Sequence, residues 1–284
     1  MKGKLSMKWV RKYISTVRGN FEVFIYGKGT PICVTHNYSE FNESGDAFAE
    51  TFTENHQVIL VNLREAGNSS KASEPYQLSM IEAVLDLEEI RIELGIRKWS
   101  FAGHSTGGMI GILYGIHFSN SINSLILVGT SAREYTVSSK DCIYNTKHPK
   151  NQRMIELISL LKSGTLTEIE REKLTEERTK LSLYNPHKYN EYFSSNIKKK
   201  ISAKRLDFYN RELCIYDVTR QLDKITTNTL IICGRYDVQC PIQYSIEMSQ
   251  LIPNSKLIIF EGSNHYPFLE EKEKFKDSIL SIVS

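Results

Sequence analysis

Hydrophobic positions in the first 130 residues alternate between short continuous runs and stretches with helical spacing. Gln57 to Asn62 is a continuous apolar run, which is typical of a strand buried on both faces of a parallel sheet. Leu78 to Leu94 has apolar residues three and four positions apart and precedes Gly95, which predicts a helix with a C-terminal glycine. A strand, a helix and a strand follow: Trp99 to Ala102, Met109 to Phe118 and Ile122 to Val128. The alternation predicts an α/β fold with a mostly parallel sheet.

Two more strands are predicted near the start of the chain. Phe21 to Tyr26 and Pro31 to Val34 are both strand-like, and a turn with the sequence Gly-Lys-Gly separates them. Two strands joined by so short a glycine turn predict an antiparallel hairpin that enters the sheet.

The alternation stops after about residue 132. Residues 133–224 have helical patterns and few strand-like runs: Asn151 to Lys162 has helical spacing, and Thr167 to Glu170 matches a capping box that opens a charged helix. This segment contains 19 lysine and arginine residues against 13 aspartate and glutamate residues. Strand and helix patterns then return. We expect a core domain of residues 1–132 and 225–284, interrupted by a helical lid over residues 133–224.

The composition narrows the class of protein. The chain has 284 residues, of which 40% are hydrophobic and 24% charged, and this composition is ordinary for a globular protein. Its formal net charge of +3 is too small to indicate a nucleic-acid partner. The longest apolar runs are strand-sized, so we expect no membrane partner. The first 20 residues lack the apolar stretch of a signal peptide, and the five cysteines form no Cys-x-x-Cys pair. We expect a cytoplasmic protein.

A serine lies between a predicted strand and a predicted helix, in the sequence Gly-His-Ser-Thr-Gly from Gly103 to Gly107. This is the pattern of a nucleophile elbow, a turn so tight that the serine is held in a strained conformation with its hydroxyl above the sheet. Side chains two positions before and after would collide with neighbouring backbone, which favours glycine there. The next helix directs free N–H groups and the positive end of its dipole at the same place. Ser105 is therefore the candidate nucleophile.

Two later strands end close to residues that can activate a serine. Leu230 to Cys233 precedes a turn with Asp237, and Leu257 to Phe260 precedes a loop with His265. The carboxyl ends of parallel strands meet at one edge of a sheet, so these side chains are expected to converge on Ser105. A base must remove the proton of a serine hydroxyl, and a histidine oriented by a carboxylate does so. This chemistry requires no metal and no organic cofactor.

The three motifs, in the order serine, acid and histidine, resemble those of the α/β-hydrolase superfamily, and the likeness covers essentially the whole chain: Gly103 to Gly107, Gly234 to Asp237 and Gly262 to His265. Asn62 to Ser69 is also similar to the loop after the fourth strand in that family. The resemblance implies a mostly parallel, twisted sheet of about eight strands with helices on both faces. It also implies a helical lid after the sixth strand, where residues 133–224 fall.

An oxyanion hole is the remaining part that the resemblance implies. Members of the superfamily often have His-Gly-x after the third strand, whereas this chain has Thr-His-Asn-Tyr-Ser from Thr35 to Ser39. Asparagine tolerates a left-handed backbone better than other non-glycine residues, so Asn37 can replace the glycine. The backbone N–H groups of Tyr38 and Thr106 are the expected oxyanion donors.

These residues predict a serine hydrolase that cleaves a small carboxylic ester or a related acyl substrate through an acyl-enzyme on Ser105. A proline-iminopeptidase-like aminopeptidase is a second interpretation, because Asn62 to Ser70 and the large lid are similar to that group, although its His-Gly-Gly-Pro-Gly turn is matched only at His36. An aminopeptidase would need lid carboxylates for the substrate ammonium, and there are four candidates: Glu134, Glu191, Asp207 and Glu212. A small-molecule receptor without turnover is a third interpretation.

Aromatic residues are frequent in the predicted lid. They either line an apolar substrate cleft or pack the lid onto the sheet: Tyr184, Tyr189, Tyr192, Phe193, Phe208 and Tyr209.

Overall fold

An eight-stranded sheet forms the centre of the computed structural model, which describes residues 9–162, 165–193 and 197–283. A second sheet of two short strands, β4 and β8, lies apart from it. The strands in chain order are β1 (Val10–Thr16), β2 (Gly19–Tyr26), β3 (Thr30–Thr35), β4 (Ser39–Glu40), β5 (His56–Val61), β6 (Trp99–His104), β7 (Ile122–Val128), β8 (Lys200–Ile201), β9 (Asn228–Gly234) and β10 (Ser255–Phe260).

From β5 onward, the helices of the described ranges alternate with the strands, except between β7 and β9. In chain order they are α1 (Ala47–Glu50), α2 (Met80–Glu93), α3 (Thr106–Phe118), α4 (Asn151–Leu161), α5 (Glu168–Lys180), α6 (Tyr189–Tyr192), α7 (Ala203–Leu213), α8 (Ile242–Leu251), α9 (Pro267–Glu270) and α10 (Lys272–Val283). In this part of the chain, no helix combines the length and the apolar character needed to cross a membrane.

The large sheet is mostly parallel, as predicted. Its strand order is β1-β2-β5-β3-β6-β7-β9-β10. The pairs β1–β2 and β2–β5 are antiparallel, and every pair from β5 to β10 is parallel. The carboxyl ends of six neighbouring strands therefore point to the same edge of the sheet, which is where α/β sheets assemble their sites.

Both faces of the sheet are buried under helices. Along β5, Val58 and Leu60 belong to a cluster with aromatic residues of α1 and α10, whereas Ile59 and Val61 belong to a cluster with α2 and α3. Successive side chains of a strand point to opposite faces, so a continuous apolar run is what a strand covered on both sides requires. The predicted fold class is confirmed.

The predicted hairpin between the second and third strands is wrong. β5 lies between β2 and β3, antiparallel to the first and parallel to the second. A Cβ on Gly27 would lie 2.2 Å from the carbonyl oxygen of His56, and a Cβ on Gly29 would lie 2.6 Å from that of Asn55. The two glycines let this connection pass close to the backbone where β5 begins. The hairpin partner of β2 is β1, an edge strand with mostly exposed residues that the apolar pattern did not indicate.

The segment between β7 and β9 is helical, with α4 to α7 and the short β8 among its described residues. The predicted capping box is present: the Thr167 hydroxyl accepts from the Glu170 N–H, and the Glu170 carboxylate accepts from the Thr167 N–H. This segment contacts the rest of the chain through the antiparallel pair β4–β8, and an isolated bridge between Arg133 and Asp217 joins its two ends.

Candidate active site

Ser105 lies in the turn between β6 and α3, with φ 55° and ψ −123°. A positive φ is strained for a residue that has a side chain, and such strain often accompanies functional sites. The backbone around it is crowded. A Cβ on Gly103 would lie 2.3 Å from the Gly107 carbonyl oxygen, and a Cβ on Gly107 would lie 2.3 Å from the Thr35 carbonyl oxygen. Close approach of the backbone therefore requires both glycines, and Ser105 itself is partly exposed.

His265 and Asp237 are hydrogen bonded to each other. His265 Nδ1 lies 2.9 Å from Oδ2 and 3.0 Å from Oδ1 of Asp237, and both side chains are almost fully buried. Oδ1 also accepts the backbone N–H groups of Gln239 and Cys240, each over 2.8 Å. An ionised carboxylate in this position keeps the proton on Nδ1 and leaves Nε2 free to act as a base.

His265 lies beside the serine turn. His104, the residue before Ser105, donates from Nε2 to the carbonyl oxygen of His265 over 2.8 Å, and the two imidazole centroids are 4.6 Å apart. On another side, a Cβ on Gly129 would lie 3.0 Å from Asp237 Oδ2 and 3.3 Å from His265 Nδ1. The serine turn, the carboxylate and the imidazole thus meet at the edge formed by the carboxyl ends of β6, β7, β9 and β10.

Two glutamates that the sequence analysis missed hold the histidine loop. Glu271 accepts from the Gly262 N–H over 2.9 Å and from the Ser263 hydroxyl over 2.7 Å. Glu270 accepts from the Asn264 N–H over 2.9 Å. These carboxylates fix the backbone on the N-terminal side of His265. Both come a few residues after the histidine, but the apolar and glycine patterns that located the other motifs do not reveal such contacts.

The loop after β3 lies against the start of α3 through the His36 imidazole. His36 Nε2 is 3.1 Å from the Thr106 hydroxyl, and Nδ1 is 3.0 Å from the Ser39 hydroxyl. The Tyr38 N–H donates to the same Nδ1 over a long 3.4 Å. Burial holds the pKa of His36 well below its usual value of 6.5, so this ring is neutral at pH 7. The residues of both predicted oxyanion donors, Tyr38 and Thr106, therefore contact the His36 ring.

Arg205, at the start of α7, holds this loop from the other side. Its guanidinium donates from Nε to the Asn37 carbonyl oxygen, from Nη2 to Asn37 Oδ1 over 2.8 Å and from Nη1 to the Arg64 carbonyl oxygen over 3.1 Å. The Ser202 N–H donates to the Tyr38 carbonyl oxygen over 2.8 Å. Burial lowers the pKa of Arg205 to about 10, which leaves it charged at pH 7. The sequence carried no signal for this contact.

Tyrosines contact His265 and the loop that carries Asp237. The ring of Tyr266 lies 5.3 Å from that of His265, and the Tyr144 hydroxyl donates to the Gln239 side-chain oxygen over 2.8 Å. Tyr38, Tyr144 and Tyr266 are each partly exposed, unlike residues of the core. Burial raises the pKa of all three phenols, which are therefore neutral hydrogen-bonding groups at pH 7.

The aromatic residues of the helical segment differ in their surroundings. Tyr209 is buried, and its ring lies 5.5 Å from that of Tyr38. Phe193 lies 5.5 Å from Tyr266. Tyr184, by contrast, stacks on a side chain at the surface and is 51% exposed.

The four lid carboxylates considered from the sequence lie in separate surroundings. Glu134 accepts hydrogen bonds from its own loop, and Glu212 accepts from the Met80 N–H over 3.0 Å. The side chains of Glu191 and Asp207 are 68% and 75% exposed. The four candidates for an ammonium site are thus not brought together. Over the described ranges, no group of three or more His, Cys, Asp or Glu side chains is placed to hold a metal ion.

Comparisons with known proteins agree with this geometry. A family model described as the alpha/beta hydrolase fold matches residues 34–272. A solved structure of an alpha/beta fold family hydrolase from Bacillus anthracis is similar, with a TM-score of 0.93 and 39% identity over 97% of this chain and 100% of that one.

Curated relatives are more distant. A protein from Stutzerimonas stutzeri that carries the name carbamate hydrolase RutD is 24% identical over 229 residues, or 78% of this chain and 80% of the relative. A proline iminopeptidase from Heyndrickxia coagulans is 25% identical over 267 residues, 88% of either chain.

Proposed function

We propose, because the chain belongs to the family of proteins with the α/β hydrolase fold, that it is a serine hydrolase for small carboxylic esters or related acyl compounds. Membership in this family and the names of the relatives support the statement that the protein is a hydrolase. The serine mechanism and the preference for esters are our proposal. The observation that carries it is the 2.9 Å hydrogen bond between His265 Nδ1 and Asp237 Oδ2, next to the strained turn at Ser105.

The proposed reaction uses the three side chains in turn. Ser105 attacks the carbonyl carbon while His265 Nε2 takes the hydroxyl proton, and Asp237 stabilises the imidazolium that forms. His265 then gives this proton to the leaving group, which departs and leaves an acyl-enzyme. Water, activated by the same imidazole, attacks the acyl carbon and releases the acid.

Two further parts complete the proposal. The backbone N–H groups of Tyr38 and Thr106 donate to the negative oxygen of the tetrahedral intermediate, and loss of such a donor typically lowers the rate by about 10²–10³. To act in this way, the Tyr38 N–H exchanges its long contact with His36 Nδ1 for a shorter one with the oxyanion. The described helices of residues 133–224 act as a lid that excludes water from the cleft.

A fluorophosphonate probe tests the nucleophile directly, since it forms a covalent bond with an activated serine. Wild-type protein is expected to be labelled at Ser105 and to hydrolyse short p-nitrophenyl esters. Ser105→Ala is expected to lose labelling and at least about 10⁴ of the turnover number while its circular dichroism stays unchanged. Ser249→Ala, which removes a hydroxyl from α8 away from the site, is the matched control and is expected to behave like wild type.

The same experiment separates an enzyme from a receptor. A folded wild-type protein that is not labelled, or Ser105→Ala that retains full activity, would contradict the serine mechanism. The first of these results would favour a small-molecule receptor on the same fold.

An aminopeptidase is the second candidate, favoured by the proline iminopeptidase from Heyndrickxia coagulans among the relatives. It is opposed by the dispersed positions of Glu134, Glu191, Asp207 and Glu212. Turnover of p-nitrophenyl acetate is to be compared with that of proline p-nitroanilide. A value of kcat/KM that is higher for the anilide, and that falls when its amino group is acetylated, would favour the aminopeptidase over the esterase.

A further inference from the structure

Arg178 lies near the end of α5, one helical turn before a residue that contacts the histidine loop. Four residues along a helix span about 6 Å, so Arg178 lies about one turn from Ser182. The Ser182 carbonyl oxygen accepts the His265 N–H over 3.3 Å, and its hydroxyl accepts from the Gln239 side chain over 3.0 Å. The end of α5 is therefore attached to the candidate active site.

One donor of the Arg178 guanidinium has no acceptor among the described residues. Its Nε is buried and makes no hydrogen bond within the described part of the chain. The adjacent glutamates of α5 are engaged: Glu176 pairs with Lys180 over 2.6 Å, and Glu177 pairs with Arg153 over 2.7 Å. A buried N–H group of a cation with no acceptor is costly, and the cost is removed if a ligand supplies the acceptor.

The positive charge of Arg178 acts on the tyrosines of the cleft. Burial raises the pKa of Tyr38, Tyr144 and Tyr266, and the guanidinium of Arg178 opposes this increase at each of them. Tyr38 lies in the loop that is proposed to donate to the oxyanion, and Tyr266 follows His265 directly. Ser182, about one turn after Arg178, accepts the His265 N–H, and the Tyr266 ring lies 5.3 Å from that of His265, so the end of α5 and this tyrosine border the same candidate site.

We propose that Arg178 binds a carboxylate group of the substrate, so that the natural substrates are acyl compounds with a carboxylate beside the scissile carbonyl group. The inference rests on the proposed function and narrows its substrate class. A guanidinium presents five N–H donors in a planar fork that matches a carboxylate, and the surrounding phenol rings pack against the apolar part of the ligand. The same charge repels the ammonium group that an aminopeptidase substrate carries.

A matched pair of esters tests the inference. The p-nitrophenyl monoester of glutaric acid carries a free carboxylate, and its methyl ester has the same acyl chain without the charge. Wild-type protein is expected to have the higher kcat/KM for the charged ester, after subtraction of the uncatalysed rate. Arg178→Met is expected to lower that value by about 10- to 100-fold and to change the value for the neutral ester less than twofold.

Lys173→Met is the control, because it removes one positive charge from an exposed position on the same helix. It is expected to leave the preference for the charged ester unchanged. Equal kcat/KM for the two esters in wild type, an equal decrease for both in Arg178→Met, or an equal loss of preference in Lys173→Met would each overturn the inference.

Calorimetry provides a readout that needs neither turnover nor a reactive serine. Wild-type protein is expected to bind 3-phenylpropanoate at least tenfold more tightly than 3-phenylpropanamide, and Arg178→Met is expected to lose this difference. Equal binding of acid and amide would overturn the inference even if Ser105 is labelled by the probe. Failure of the serine mechanism, by contrast, would appear as an absence of labelling with the difference in binding retained.

Discussion

At the scale of single residues, His104 is a partly buried base in contact with the candidate catalytic histidine. Burial is the largest cause that holds the pKa of His104 well below its usual value of 6.5; the charges of His265, Lys199 and His36 act in the same direction. Its Nε2–H is nevertheless needed, because it donates to the His265 carbonyl oxygen. Since burial penalises the charged ring, the folded protein favours neutral His104 with its single proton on Nε2.

The stability of the protein is predicted to depend on this residue below pH 6.5. The unfolded chain binds a proton at His104 as the pH falls through 6.5 whereas the folded protein does not, so the folded state loses up to about 1.4 kcal/mol by pH 5.5. His104→Gln keeps an N–H donor at a similar distance and has no titrating group. In urea unfolding at pH 7.5 and pH 5.5, the variant is expected to lose less unfolding free energy between the two pH values than wild type. Equal losses would refute this account.

The candidate site was partly predictable at this scale. Ser105, Asp237 and His265 each follow an apolar run, and their types and order along the chain have a chemical meaning. Arg205 and Glu271 could not be found in this way, because each acts through contacts with backbone groups far away in the sequence or within a loop of irregular shape. Tertiary hydrogen bonds of this kind have no periodicity along the chain.

At the scale of elements, α7 and the loop after β3 form one unit. Arg205 contributes two hydrogen bonds between them, both to Asn37, and the pair β4–β8 continues the same interface. The loop carries Tyr38, a proposed oxyanion donor. A change in the position of α7 would therefore displace a group that the reaction needs.

Arg205→Met is predicted to reduce kcat more than it changes KM, by up to about 10²-fold, because a small displacement of a group that stabilises the transition state has that effect. The rate of fluorophosphonate labelling at Ser105 is expected to fall in parallel. Measurements are to be made at a temperature at which circular dichroism shows the variant to be folded.

Arg91→Met separates this effect from a general loss of stability. Arg91 is also a buried arginine, and it donates to the carbonyl oxygens of Ile96 and Arg97 after α2, away from the candidate site. It is expected to lower the unfolding free energy without lowering kcat. A similar kcat decrease in both variants would mean that Arg205 acts only through stability.

The elements of the fold were predictable to different extents. The strands and helices from β5 to α3 were predicted within a few residues, because long apolar runs and helical spacing are strong local signals. The pairing of β2 was not predicted correctly. A short turn links β2 and β3 along the chain, but this does not decide whether another strand lies between them in the sheet. β1 was missed because an exposed edge strand does not need a continuous apolar run.

At the scale of the whole molecule, hydrogen bonds join residues 133–224 to the rest of the chain at separate places. The Ser202 N–H donates to the Tyr38 carbonyl oxygen over 2.8 Å, and the Ile143 N–H donates to that of Val238 over 2.6 Å. The Tyr184 N–H donates to the Glu270 carboxylate over 2.7 Å. These hydrogen bonds reach different loops at the edge of the sheet. The helical segment therefore cannot move away from one loop without straining its hydrogen bonds to the other loops.

The two parts are therefore predicted to unfold together, and the chain offers separate probes for them. Its two tryptophans, Trp9 and Trp99, are both buried in the core outside residues 133–224, so tryptophan fluorescence follows the core alone. Far-ultraviolet circular dichroism at 222 nm also includes α4, α5 and α7. The urea midpoints of the two signals are expected to coincide, as a two-state transition requires. A dichroism transition that begins at a lower urea concentration, while fluorescence is unchanged, would instead mean that the helical segment unfolds on its own and that the lid is a separate unit of stability.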